Sequence, residues 1–187
     1  MDWTGSGSER RCGRMRALWK VVTLAACVSL VASCASPSYQ EAALQASDRG
    51  DQKTAISLAR KEVARFSGPD QCSRARNLYC GTLALAYGTL AGYQILGGDA
   101  TAGEQSFSDA KGALSLTDPK LRSGAAGVVY RDVSEAFWKV GDHARAVAVF
   151  REGRAAGADQ YLYMSSAAQS LGRQPAAGQS TGYGGPR

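Results

Sequence analysis

Cysteine and histidine are the residues of this chain best suited to chemistry, because thiolates and imidazoles act as nucleophiles and bind metal ions. The 187 residues include five cysteines and a single histidine, His143. Cys72 and Cys80 together with one histidine supply too few soft ligands for a metal site. No triad partner accompanies His143 in the sequence pattern. We therefore predict no metal, no cofactor and no chemical role for this histidine.

Cys72 and Cys80 are the candidates for a disulfide. On one continuous helix, two residues eight positions apart are separated by about 12 Å, which is too far for a disulfide. A bond therefore requires Cys72 to lie in the turn before the helix that carries Cys80. Gly68-Pro69-Asp70 predicts such a turn. The sequence leaves a disulfide and a pair of buried free thiols as open alternatives.

The amino-terminal segment has a basic flank followed by an apolar run. Arg14, Arg16 and Lys20 precede a run of apolar and small residues from 21 to 32. As a helix, that run spans about 18 Å, whereas the hydrocarbon core of a bilayer is about 30 Å thick. The run is therefore too short to cross a membrane, but its length is typical of a signal peptide.

The run ends at Val31-Ala32-Ser33-Cys34, which resembles the lipobox of bacterial lipoproteins. In that family the cysteine thiol carries a lipid, and the signal peptide is cleaved immediately before it. The resemblance implies a signal peptide over residues 1–33, with Met15 as an alternative start. It also implies a lipidated amino terminus over residues 34–36, with Cys34 as the modified residue.

A lipidated protein of this kind is anchored to the cell envelope by its acyl chains and faces the periplasm. Ala35, which follows the cysteine, favours the outer membrane over the inner membrane. Export would also place Cys72 and Cys80 in a compartment that oxidises thiols.

Composition and charge limit the classes of protein to which this chain can belong. The chain is 44% hydrophobic with a formal net charge of +6, a balance that suggests nucleic acid at first sight. Residues 34–187, however, carry 17 basic and 14 acidic residues without a basic stripe. We therefore expect one globular domain and no nucleic-acid partner.

The body of the chain, residues 37–172, predicts only helices. Apolar residues recur at helical spacing, and the one β-branched cluster, at 128–130, fits a helical face. The predicted helices cover residues 38–49, 51–66, 74–96, 99–116, 119–140, 143–156 and, capped by Asp159, 159–172. Residues 173–187 are small, polar and glycine-rich, which predicts a disordered tail. The predicted fold class is all-α, with about seven helices.

A Gly-Asp pair stands at 50–51, 98–99 and 141–142, each time between two predicted helices. Small and bulky residues flank these pairs in similar order, as with Gly103 and Phe107 in the second copy and Ala146 and Phe150 in the third. This pattern resembles the tetratricopeptide repeat, which implies a stack of antiparallel helical hairpins over residues 37–172. The copies are offset by 48 and 43 residues rather than 34. An unrelated helical bundle with Gly-Asp turns is the alternative.

In such a stack the first helix of each pair lines a concave groove. In the third copy the groove-facing positions, and thus the candidate partner-binding residues, are Arg131, Glu135, Trp138 and Lys139. In the second copy they are Leu85, Gly88, Gly92 and Ile95. Tryptophan and arginine concentrate binding energy at interfaces. The alternative places Trp138 in the core and the charges on a solvated helix face.

These features together predict a protein that binds other proteins and is not an enzyme. The sequence contains none of the common hydrolase, metalloprotease or nucleotide-binding motifs. We expect a lipid-anchored scaffold whose partners are envelope proteins and which helps to assemble or stabilise an envelope complex, such as a pilus or a secretion system. The alternative is an envelope enzyme, or an accessory lipoprotein that binds the cell wall or a ligand.

Overall fold

A computed structural model describes residues 38–158 and 160–173 of the chain. The chain divides into two units, residues 1–37 and residues 38–187, and the structure described here belongs to the second. The predicted signal peptide, the lipidated segment with Cys34 and the tail from residue 174 onwards lie outside the described residues. They stay predictions.

The described residues form an all-α fold with seven α-helices and no strand, which confirms the predicted fold class. A short 3-10 helix, Gln160–Met164, lies between the last two helices. The α-helices are α1 (Tyr39–Asp48), α2 (Gln52–Phe66), α3 (Cys80–Leu96), α4 (Ala100–Leu116), α5 (Pro119–Lys139), α6 (His143–Ala155) and α7 (Ser166–Arg173). Consecutive helices pack together in pairs, α1 with α2, α3 with α4 and α5 with α6, and α3 also packs against α5. The finer prediction of tetratricopeptide-like stacking stays a prediction.

The three Gly-Asp turns share one geometry. Each glycine has a positive φ, between 80° and 87°, which favours glycine because a Cβ atom is strained there. In each turn the aspartate N–H donates to the carbonyl five residues earlier at 2.9 Å, which ends one helix. The same aspartate accepts from the N–H three residues later at 3.0 Å, which begins the next helix. The turns are Gly50-Asp51, Gly98-Asp99 and Gly141-Asp142.

The third helix begins later than the sequence predicts, at Cys80 rather than near Arg74. Before it, the Ser73 hydroxyl accepts the N–H of Arg76 at 3.1 Å. Such local side-chain bonds compete with helix formation. Cys72 lies in this non-helical segment and forms a disulfide with Cys80, with 4.8 Å between the two Cα atoms. Of the two alternatives for this pair, the structure therefore contains the bonded one.

The predicted seventh helix is interrupted. A 3-10 helix occupies its first part, and α7 begins only at Ser166. Asp159, the predicted cap, lies outside the described residues. The Ser165 hydroxyl instead accepts the N–H of Ala168 at 3.3 Å, as an N-cap side chain does. The new helix therefore starts at the serines.

Two hydrophobic clusters hold the helices together. The larger cluster, which we call the main core, is built from α3 to α7 around bulky side chains such as Phe107, Tyr130, Phe137 and Phe150. The smaller cluster joins α1 and α2 to α3. Its buried members are Ala43, Ala46, Ala55, Ala59, Leu90 and Tyr93.

Gly103 sets the distance between α3 and α4. A Cβ atom built at this position would lie 2.5 Å from Cγ1 of Ile95 and 3.1 Å from the carbonyl oxygen of Ala91. Only glycine allows the two helices to approach this closely. The small residue predicted at this crossing is therefore required by the packing.

Candidate functional site

Helices α1, α3 and α5, the first helices of the three pairs, enclose a groove of about 660 Å³. Each helix lines it with the same four positions, which lie nine, six, five and two residues before the turn glycine. These residues are Glu41, Leu44, Gln45 and Asp48 on α1, Thr89, Gly92, Tyr93 and Leu96 on α3, and Asp132, Glu135, Ala136 and Lys139 on α5. Positions spaced by three, one and three residues share one face of a helix, so the groove is the common face of three equivalent helices.

Three of the four residues predicted for the groove in the third copy line it: Arg131, Glu135 and Lys139. Trp138 does not. It lies three residues before the turn glycine, one position outside the groove-lining set. Its half-buried ring packs against the main core and makes an edge-to-face contact with His143, at 4.1 Å between ring centroids.

The residues predicted in the second copy are distributed differently. Gly92 lines the groove. Gly88 is buried against Val129, and Ile95 belongs to the main core. Leu85 lies beside the groove, in a small recess between α1, α2 and α3. The α3 side of the groove is therefore formed by Thr89, Gly92, Tyr93 and Leu96.

Carboxylates outnumber cations in the groove. Glu41, Asp48, Asp132 and Glu135 line it, against two cationic side chains, Arg131 and Lys139. The acidic excess predicts attraction for positively charged groups.

Asp132 of α5 and Tyr93 of α3 both line the groove. Nη2 of Arg131 is 2.7 Å from Oδ1 of Asp132. Burial raises the pKa of Asp132 above its ordinary value, and the Arg131 guanidinium partly offsets this rise. Burial also raises the pKa of Tyr93, and the nearby carboxylates of Asp132 and Asp48 add to that effect. The phenol therefore stays protonated at neutral pH and can donate a hydrogen bond.

Glu135 has a structural partner. One carboxylate oxygen accepts the backbone N–H of Ser166 at 2.9 Å, and the other accepts its hydroxyl at 3.1 Å. A carboxylate at a helix N-terminus is also stabilised by the helix dipole. Glu135 therefore fixes the start of α7 against α5, in addition to lining the groove.

Sequence reasoning missed the α1 side of the groove, as well as Asp132 and Tyr93. The signal that finds them is present in the chain. Counting back from each turn glycine by the same offsets assigns all twelve positions. The prediction missed these residues because it assigned no groove positions in the first copy and used different offsets from the turn glycine in the other two.

Within residues 38–158 and 160–173, no three histidine, cysteine, aspartate or glutamate side chains are grouped so as to hold a metal ion. No helix in that part of the chain has both the length and the apolar character to span a bilayer. Comparison with known proteins finds no match to a family model, a curated protein or a solved structure. We therefore base the functional proposal on the groove and on the sequence.

Proposed function

We propose that this chain is a lipid-anchored protein of the bacterial cell envelope that binds an envelope protein in the α1–α3–α5 groove. In this role it helps to assemble or stabilise an envelope complex, such as a pilus or a secretion system. The observation that carries the proposal is the groove itself, which three equivalent helices line with equivalent positions. The location rests on the lipobox resemblance at Cys34.

The dimensions of the groove suit a segment of polypeptide. Directly packed helices, such as α3 and α5, lie about 8–10 Å apart, and α1 lies beyond α3 at no closer a spacing, so the groove is at least roughly 16–20 Å across. An extended segment of about six residues covers that distance. Leu44, Tyr93 and Leu96 offer apolar contacts within the groove, while charged side chains surround them.

Several charged groups in the groove are available to a partner. Among the described residues, Glu41, Asp48 and Lys139 form no ion pair with another side chain. All three are exposed. A bound segment would therefore gain contacts with these groups without first breaking an ion pair.

Crosslinking in cells followed by mass spectrometry tests the proposal. The full-length chain is compared with Asp48→Lys in the groove and with Asp109→Lys, an exposed position on α4 that does not line the groove. We expect a reproducible envelope partner that Asp48→Lys reduces at least tenfold, because it removes part of the acidic excess, and that Asp109→Lys leaves unchanged. Absence of a partner at native expression, with working crosslinker controls, would contradict the proposal and favour the enzyme or ligand-binding alternative.

The lipid anchor is tested separately. We expect Cys34→Ser to abolish labelling by a fatty-acid probe and cleavage of the signal peptide, because serine has no thiol to form the thioether. Cys72→Ser is the control, and it should remain labelled. Continued labelling of Cys34→Ser would overturn the anchor.

A further inference from the structure

A recess of about 40 Å³ adjoins the groove between α1, α2 and α3. Gln40 and Thr89 line both the groove and the recess, so the two spaces are neighbours. Glu62 of α2 and Thr82 of α3 supply the other polar side chains of the recess, and its remaining lining is alanine and leucine.

Among the described residues, one carboxylate oxygen of Glu62 has no hydrogen-bond partner. The residue is 8% exposed, and its Oε2 atom is buried with no hydrogen-bond donor in the described part of the chain. The neighbouring cations on α2 turn elsewhere, with Lys61 over the ring of Tyr39 and Arg65 over the ring of Phe66. A buried carboxylate oxygen without a donor is costly, so an unsatisfied one points to a bound group that supplies the donor.

The residues that line the recess indicate what kind of donor group would bind there. A carboxylate, two threonine hydroxyls and an amide carbonyl can all accept hydrogen bonds, and an ammonium group carries three donors and no acceptor. One water needs about 10–15 Å³ of such space, so 40 Å³ admits an ammonium with a methylene or two. A planar guanidinium with five donors is larger and less suited to the space.

We propose that the recess is an ammonium-binding subsite that receives a lysine side chain of the segment bound in the groove. The lysine stem is four methylenes long and unbranched, so it can extend from the groove past Gln40 and Thr89 to Glu62. The acidic excess of the groove favours such a basic segment. The inference rests on the proposed function, because it names what the partner inserts.

The subsite is tested first without a partner, on the purified full-length chain. Ethylammonium chloride is titrated while thermal unfolding and backbone amide NMR shifts are recorded, with sodium chloride at matched ionic strength. We expect a saturating rise in Tm, with roughly millimolar affinity, the range accessible to three heavy atoms. Tetramethylammonium, which has no N–H donor, should give no saturating response.

Variants locate the response. Glu62→Gln keeps the shape of the side chain but removes its charge, and we expect it to weaken ethylammonium binding at least tenfold. Thr89→Val removes one hydroxyl and should weaken binding several-fold. This variant tests the subsite if Glu62→Gln fails to fold. Lys139→Glu changes the groove outside the recess and should retain binding. An unchanged response in folded Glu62→Gln or in Thr89→Val would overturn the subsite.

Peptides distinguish the source of the ammonium. An amino-acetylated, carboxy-amidated peptide with one lysine among glycines should displace ethylammonium, whereas the same peptide with arginine or acetyl-lysine should not. The same glycine peptide without lysine but with a free amino terminus is also tested. If only this peptide displaces ethylammonium, the lysine assignment is overturned.

The partner proposal and the subsite can fail separately. Capture of a partner that Asp48→Lys abolishes but Glu62→Gln leaves intact would support the groove and overturn the lysine insertion. Ethylammonium binding that needs Glu62, without any captured partner, would support the ammonium chemistry of the recess while contradicting the proposed function.

Discussion

The N-terminal helix pair, α1 and α2, is held to the rest of the domain in a different way from the other helices. The fully buried members of its cluster are four alanines with Leu90 and Tyr93 of α3, and only partly buried side chains such as Ile56, Val63 and Phe66 add bulk, whereas α3 to α7 enclose bulky aromatic and aliphatic side chains. Because hydrophobic stabilisation scales with buried apolar area, the N-terminal pair gains less from packing. Yet α1 forms one side of the groove. We infer that the α1 side opens at a lower free-energy cost than the α3 and α5 sides, as binding regions often do.

The largest effect is expected from breaking the main core at its closest helix contact. Gly103→Ala places a Cβ against Ile95 and the backbone of Ala91, so we expect a loss of about 3 kcal/mol in the free energy of unfolding. Gly112→Ala on the same helix has open space around it and should gain about 0.5–1 kcal/mol instead. Urea unfolding measures both. Equal effects of the two variants would contradict the packing at Gly103.

Removing the disulfide should loosen the connection between the α1–α2 pair and helices α3 to α7. In the double variant Cys72→Ala/Cys80→Ala we expect a loss of about 2.5 kcal/mol, the loop-closure entropy of a nine-residue loop. Hydrogen exchange should accelerate most in α2 and at the start of α3, the elements that flank this loop. Uniform acceleration across α4 to α6 would show that the disulfide does not act locally.

The buried phenol of Tyr130 in the main core should make the stability of the domain depend on pH in the alkaline range. Burial, and then the nearby Glu152 carboxylate, raise the pKa of Tyr130 to about 12 from an ordinary value of 10.0. The phenol therefore stays neutral in the folded state while it ionises in the unfolded chain. The contribution of this phenol to the free energy of unfolding is fully present below pH 10. It is lost as pH rises towards 12, by about 2 kcal/mol at pH 11.5.

Tyr130→Phe tests this dependence. Between pH 9 and pH 11.5, the variant should lose about 2 kcal/mol less stability than the parent chain, because phenylalanine does not titrate. Urea unfolding at the two pH values measures the difference, and Tyr161→Phe is the control, because Tyr161 is an exposed residue of the 3-10 helix. Parallel losses in Tyr130→Phe and the parent would contradict the prediction.

The smallest effect concerns a single helix cap. The Asp99 carboxylate accepts the N–H of Ala102 at 3.0 Å at the start of α4. We expect Asp99→Ala to cost about 1 kcal/mol, and Asp99→Ser, which retains a capping oxygen, to cost a few tenths. Thermal unfolding resolves the two variants. Identical stabilities would show that the cap contributes nothing measurable.

The fold was predictable where local chemistry decides it. The Gly-Asp turns, with a left-handed glycine and a capping aspartate, place six helix ends within a residue or two. The start of α3 was not predictable in this way, because the side chain of Ser73 and the disulfide override the helical propensity of residues 74–79. The interrupted seventh helix likewise depends on Glu135, a partner 31 residues away from Ser166.

The candidate site was partly predictable. Arg131, Glu135 and Lys139 follow from helical spacing, whereas the same reasoning also assigned Trp138 to the groove although it lies one position off the groove-lining face. Glu62 was missed because nothing in the flanking sequence distinguishes it from a solvent-exposed residue of α2. Its burial arises only when α1 and α3 pack against that helix.

Site-specific photocrosslinking in cells tests the central claim, binding of a protein in the groove, most directly. A photoreactive residue at Leu44, which is 53% exposed on the α1 side of the groove, is compared with one at Ser108, exposed on α4 and not part of the groove lining. We predict a discrete adduct of one envelope protein from Leu44, none from Ser108, and loss of the Leu44 adduct in Asp48→Lys. Equal adducts from both positions, or a Leu44 adduct unaffected by Asp48→Lys, would contradict the account.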